Sequence, residues 1–428
     1  MQMIRRIIYP LSLFLILFCS DMAGQHLAAP PSFELDSLAS WTSFAELGAS
    51  QGENASLFGQ SVSVNGTVAV VGSPGDEVTT GAAYVFVKSA ADDAKILQTA
   101  RLTASDGQPG DVFGYSVSIS GDTIVVGAQG VNTSQGKAYV FVKPPTGWVD
   151  MTETAQITAS DGRGNDQFGI SVAISGNTIV VGSPNHDVGS NSEQGAIYLF
   201  AEPPGGWIDM SQTAQLTASD GTEKSGLGYS VSASGNAVVG GAAGVGAVYV
   251  FVEPQDGWRN MTQSAKLTDP HDTGIGFSVG ISGNTIATGS PSGSIGNGPT
   301  GAVDVYVRPG NSWRSTTKPT ARLGASDGDV GDDLGWSVAT TGNTVTAGAP
   351  FAHCLGVGCQ RGIGTGIAYA FSRPANGWAS MTQTQELIPS DGVPKGSFGE
   401  SIAANGPAVS VGASGTNTAY VYLYRANR

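Results

Sequence analysis

Leu102–Val142 reads LTASDGQPGDVFGYSVSISGDTIVVGAQGVNTSQGKAYVFV, and this stretch returns with drift until the chain ends. The glycine of its Phe-Gly pair (Leu-Gly or Ile-Gly in some copies) recurs at Gly59, Gly114, Gly169, Gly228, Gly276, Gly335 and Gly399, at intervals of 55, 55, 59, 48, 59 and 64 residues. Copies at a period of roughly 50 residues mark a repeat architecture, in which each unit buries its faces only against its neighbours.

Each copy holds four short apolar runs separated by turn chemistry. In the second copy they are FGYSVSI from Phe113, TIVVG from Thr123, AYVFV from Ala138 and AQIT from Ala155. The first alternates, as a strand with two different faces does. Ser120-Gly121-Asp122 then reverses the chain, because Gly and Asp tolerate positive φ. The β-branched residues of the second run favour a buried, pleated position. Four antiparallel strands with two apolar faces make a propeller blade, which radial stacking covers on both sides. A linear solenoid is the competing arrangement, but it needs polar capping repeats. The last copy stops after Ala419–Tyr424 without a fourth strand, and a spare one, AELGAS from Ala45, precedes the first copy. The expected fold is therefore an all-β, seven-bladed β-propeller of four-stranded antiparallel blades, closed by an N-terminal strand that completes the last blade and leaves only short edges.

The Phe-Gly pair is followed by Gly-Ser-Pro or Gly-Ala-Pro (Gly72-Ser73-Pro74, Gly182-Ser183-Pro184, Gly289-Ser290-Pro291, Gly348-Ala349-Pro350) and then by Gly-x-Ala-Tyr-Val-Phe. This resembles the FG-GAP repeat of the propeller of integrin α-subunits and of many bacterial surface proteins. The resemblance covers Ala45–Arg428 and implies an adhesion or binding role without catalysis. It often brings calcium in a DxDxDG-like loop between the first and second strands. Here that loop is only Ser120-Gly121-Asp122, Ser175-Gly176-Asn177, Ser282-Gly283-Asn284 or Thr341-Gly342-Asn343. Calcium needs six to eight oxygens, so the family's calcium site is not carried over, and neither a cofactor nor a metal is expected.

Outside the repeat, Arg5 and Arg6 precede an apolar run from Ile7 to Cys19, shorter than the ~20 residues of a membrane span. We read residues 1–24 as a signal peptide, 25–44 as a linker and 45–428 as the propeller. The protein is then secreted or held at the cell surface, with membrane association only if the N-terminal segment is retained or lipidated at Cys19. The net charge of −14 argues against electrostatic binding to nucleic acid and leaves an extracellular protein or a glycan as partner. Cys354 and Cys359 lie in one long loop, where a local disulfide is expected in an exported protein.

Several constellations invite a chemical reading. The lead-in loop S-D-G-x-x-G-D-x-F-G pairs Asp106 with Asp111, Asp161 with Asp166, and Asp327 with Asp332, while Asp220 and Asp391 keep only the first carboxylate. These pairs either hold a cation or cap their own turns; recurrence favours capping. Gly276-Phe277-Ser278-Val279-Gly280 has the G-x-S-x-G pattern of hydrolases, but Ser278 aligns with Ser116 and Ser171, ordinary repeat positions. Trp148, Trp207, Trp258, Trp313 and Trp378 recur after the third strand. Exposed, they suit a lectin that stacks on sugars; buried, they cover their own blades. The connections between second and third strands vary most in length. Loops on a rigid scaffold carry binding sites, so Asp76, Glu77, His186 and Asp187, with the Cys354–Cys359 loop, are the candidate binding rim.

Overall fold

The computed structural model describes residues 40–49, 57–76, 80–89, 95–294, 298–352, 365–388 and 396–425. Seven sheets form in chain order, each built on four strands. Blade 2 is typical. Ser116–Ser120, Thr123–Ala128, Lys137–Val142 and Ala155–Thr158 pair antiparallel in sequence order. The first strands lie side by side around the axis, and Ser401–Asn405 of blade 7 contacts Ser61–Asn65 of blade 1, so the ring is closed.

Ser40–Leu47 pairs antiparallel with Thr418–Arg425 and completes blade 7. The strand starts five residues before the boundary expected at Ala45. Only AELGAS resembles a repeat, whereas backbone pairing needs no particular side chain and runs on, past a bulge at Ser43/Ala45, to Ser40↔Arg425. A second difference concerns strand number. Met151–Thr152, between the third and fourth strands of blade 2, pairs parallel with Leu102 and Thr103 of blade 1. Met210–Ser211, Met261–Thr262 and Met381–Thr382 do the same for blades 2, 3 and 5. Among the described residues, four blades thus gain a fifth, parallel strand borrowed from the blade that follows.

Packing explains the repeat signature. Each second-strand glycine lies directly under the carbonyl of the next blade's Phe-Gly glycine. A Cβ at Gly127 would meet Gly169 O at 2.0 Å, and one at Gly412 would meet Gly59 O at 2.0 Å, across the ring closure. Gly169 itself has φ +90°, which L side chains rarely adopt. The same carbonyl is held by a first-strand hydroxyl: Ser116 Oγ donates to Gly169 O (2.8 Å) and Ser401 Oγ to Gly59 O (2.8 Å). Ser278 Oγ donates to Gly335 O in this role (2.8 Å), so the serine of the G-x-S-x-G pattern is a blade-to-blade link.

The core lies between blades. Phe113 packs against Tyr139 and Phe141 with centroids 5.3 and 5.9 Å away, edge-on. Trp148, Trp207, Trp313 and Trp378 are buried and Trp258 is packed against the core, so these rings cover the blades rather than face solvent. Among the described residues no helix is long and apolar enough to cross a membrane. The expected signal peptide, Glu77, Asp391 and the Cys354–Cys359 pair lie outside the described residues.

Candidate functional site

The loop between second and third strands and the loop leading into the next blade meet on one face. Gly136 bridges to Phe168, Asn165 N–H donates to Thr133 O (3.0 Å) and Lys224 N–H donates to Ser192 O (2.9 Å). The candidate residues sit in this layer, and most have partners there.

Asp76 is buried, accepts the Tyr84 hydroxyl at 2.5 Å and lies 3.3 Å from Arg101 Nη2. Burial, with the Asp76 hydrogen bond, pushes the Tyr84 phenol up to about 12. His186 is 4% exposed, with Nδ1 2.8 Å from Asp166 and Nε2 3.4 Å from Asp161. Both ring nitrogens face carboxylates of the structure, so the imidazole braces the loop. Asp187 is exposed. It accepts the Glu193 N–H (3.0 Å) and lies 3.7 Å from Arg163.

The paired aspartates have separate structural roles. The second of each pair accepts a backbone N–H three residues earlier: Gln108 to Asp111 (2.8 Å), Arg163 to Asp166 (2.8 Å), Asp329 to Asp332 (2.7 Å). The first accepts the hydroxyl of the third-strand tyrosine: Tyr139 to Asp106 (2.9 Å), Tyr198 to Asp161 (2.9 Å), Tyr249 to Asp220 (3.0 Å). Burial raises Asp106, but hydrogen bonds from Lys137 and Tyr139 outweigh it and hold the carboxyl below its ordinary value. In blade 4, Ser225 takes the second position and accepts the Thr222 N–H (2.9 Å), which a metal-ligand role for that position does not explain.

The axial cavity, about 370 Å³, is lined by the first strands of all seven blades, and none of its lining residues is charged. Its hydroxyls link neighbours: Ser63 Oγ accepts the Ile119 N–H (3.2 Å) and Ser118 Oγ the Ile174 N–H (3.1 Å). The lining supplies no acid–base pair.

A different group gathers where the first strands begin. The residue directly after each Phe-Gly glycine is Gln60, Tyr115, Ile170, Tyr229, Phe277, Trp336 or Glu400, and none of these is buried. Tyr229, Phe277, Trp336 and the loop residue Phe351 form a continuous aromatic run, with successive centroids 5.2, 4.9 and 5.4 Å apart. Tyr229 is 38% exposed. Glu400 accepts Gln60 Nε2 at 3.2 Å and the Ser414 hydroxyl. Burial raises the Tyr115 phenol, Gln129 opposes the rise and Glu400 adds to it. Tyr115 in turn adds to the burial-driven rise at Tyr229. The residues head seven first strands that lie side by side around the axis, so they converge on it. The sequence reading passed over this crescent because it sits inside the most regular part of the repeat. The available signal was a variable position next to an invariant one, aromatic in four copies.

A model of the FG-GAP repeat matches residues 41–86, 96–141, 151–200, 210–251 and 318–371, more than half of the chain. No curated protein matches. Among solved structures, a chain of "Crystal Structure of Mitotic Checkpoint Complex" superposes with a TM-score of 0.55 at 13% identity, covering 95% of this chain and 99% of that one. At that identity the likeness concerns the fold alone.

Proposed function

This chain belongs to the FG-GAP repeat family, and we propose that it is an exported, non-enzymatic scaffold that binds another macromolecule, in the first place a protein, through the loop face of the propeller. One observation carries the reading: the half-exposed aromatic crescent Tyr229–Phe277–Trp336–Phe351 around the axis, beside Glu400. Grouped, partly exposed aromatics bury large area at low entropic cost on contact with a partner, and their faces accept apolar or cationic side chains. The recurrent polar residues support the same reading, since Ser278, the paired aspartates and His186 are engaged within the ring. The buried tryptophans favour protein over glycan recognition. Export rests on the N-terminal sequence, and the Cys354–Cys359 disulfide is proposed with it.

The test is capture from extracellular extracts on the immobilised signal-free protein, beside Trp336→Ala with Phe277→Ala. A partner held by the first and lost by the double variant supports the reading. Binding that survives the double variant, or a specific glycan found on an array in its place, overturns it.

A further inference from the structure

The seam between blades 4 and 5 departs from the others at several positions together. Thr316 pairs with Leu267 where Met151, Met210, Met261 and Met381 pair in the other borrowed strands. Beside this smaller side chain lies a cavity of about 260 Å³ lined by Leu267, Tyr306, Val307, Pro309, Trp313 and Thr316, with Arg314 and Lys318 also on its wall. Tyr306 stands where Phe141, Phe200 and Phe251 stand in blades 2, 3 and 4. Its hydroxyl is buried without a hydrogen-bond partner among the described residues, whereas Tyr422, at the same place in blade 7, donates to Ile388 O (2.5 Å).

Lys318 replaces a glutamate or glutamine that elsewhere accepts a serine N–H, as Gln212 accepts that of Ser160 (2.9 Å). The matching serine here is Pro270, which has no N–H to satisfy. Lys318 is thereby released from the seam. Arg314 and Lys318 are both exposed, on a chain of net charge −14, and neither has a carboxylate within ion-pair distance among the described residues.

The geometry points to a small-ligand pocket at this seam, on the end of the third strand opposite the loop face, that takes a ring-sized apolar body carrying one carboxylate. The body fills the space a methionine fills elsewhere, where an apolar cavity is costly. A polar atom on it meets the Tyr306 hydroxyl, which is costly to bury unpaired. The carboxylate sits between Arg314 and Lys318. This chemistry occurs in a free aryl carboxylate and in the carboxyl-terminal aromatic residue of a peptide.

4-Hydroxyphenylacetate and Gly-Gly-Tyr serve as probes, with 4-hydroxyphenylacetamide and Gly-Gly-Tyr-amide as controls that lack the carboxylate. They are titrated into the signal-free protein and read by saturation-transfer NMR. Saturable binding of either acid, weakened about tenfold or more in its amide and in Thr316→Met, is the expected result, and which acid binds identifies the source. Lys318→Gln, the residue of other seams, weakens the acids and leaves the amides unchanged. Because Thr316→Met restores the repeat residue, its melting temperature rises, which shows that lost binding is not lost folding. Failure of both acids to bind, or binding that Thr316→Met leaves unchanged, overturns the proposal. None of these residues belongs to the loop face, so macromolecule capture there stands or falls separately.

Discussion

The seam between blades 2 and 3 and the seam between blades 4 and 5 share an inner edge and differ at the rim. Inside, Gly127 sits 2.0 Å by its virtual Cβ from Gly169 O, and Gly241 sits 1.9 Å from Gly276 O. Both carbonyls are held by a serine, Ser116 at 2.8 Å and Ser230 at 3.1 Å. At the rim the first seam has Met210, Gln212 and the Tyr198–Asp161 hydrogen bond. The second has Thr316, Lys318 and a buried charge cluster. There Asp304 takes the tyrosine position, opposite Arg322 in register. Arg322 Nη1 lies 3.0 Å from Asp269 and 3.6 Å from Asp304, and Nη2 bonds Asp272. Among the described residues neither oxygen of Asp304 accepts a hydrogen bond, although Asp304 is 1% exposed. The lesson is that backbone approach sets the inner edge, where no side chain is tolerated. The rim is set by side-chain volume and pairing, which can be rewritten as a group.

The largest test of that division is at the inner edge. Gly127→Ala drives a Cβ into a backbone carbonyl and is expected to cost about 3 kcal/mol or more, read from urea midpoints. Gly241→Ala should cost the same despite the altered rim. A much cheaper Gly241→Ala would break the comparison.

Met210→Thr imports the rim of one seam into the other. It removes buried volume over Ile157 and is expected to cost about 2 kcal/mol by thermal or chemical unfolding. A cost near zero would mean that the methionine position does not fill the seam.

The charge cluster sharpens the contrast through pH. Burial pushes the Asp304 carboxyl up to about 7; Arg322 opposes this, and Asp269 and Asp272 reinforce it. The folded state therefore keeps a proton that the unfolded chain has lost. That contribution is complete below the ordinary carboxyl value, falls as pH rises towards about 7, and is gone above it. Between about pH 5 and about pH 8 the protein should lose on the order of 2 kcal/mol through this group. Asp304→Asn should flatten that part of the profile in denaturant titrations, and an unchanged slope would assign it elsewhere.

The smallest effect belongs to an exposed pair outside both features. Lys143 bonds Asp122 at the surface, and Lys143→Gln is expected to change stability by less than about 0.5 kcal/mol. A larger loss would show that solvent-facing pairs, not only seams, hold the blades.

The sequence by itself determined the blade count, the strand order and the ring closure, because each follows from local periodicity and from a spare strand matching a missing one. It also indicated that Ser278 and the second aspartates are structural, since repetition in register marks a shared local geometry. It did not reveal the borrowed parallel strands: Met151–Thr152 is too short to show a period, and its partner is a residue of another blade, 49 positions away at Leu102. Nor did it reveal that His186 lies between two aspartates or that Asp76 holds Tyr84. Those contacts join loops whose lengths differ from copy to copy, so no repeat aligns them. Only the tertiary structure decided that residues following seven distant glycines meet around one axis, and that Thr316, Tyr306, Lys318 and Pro270 are changes to a single seam. Proximity across blades is a property of the closed ring, and a linear pattern holds no measure of it.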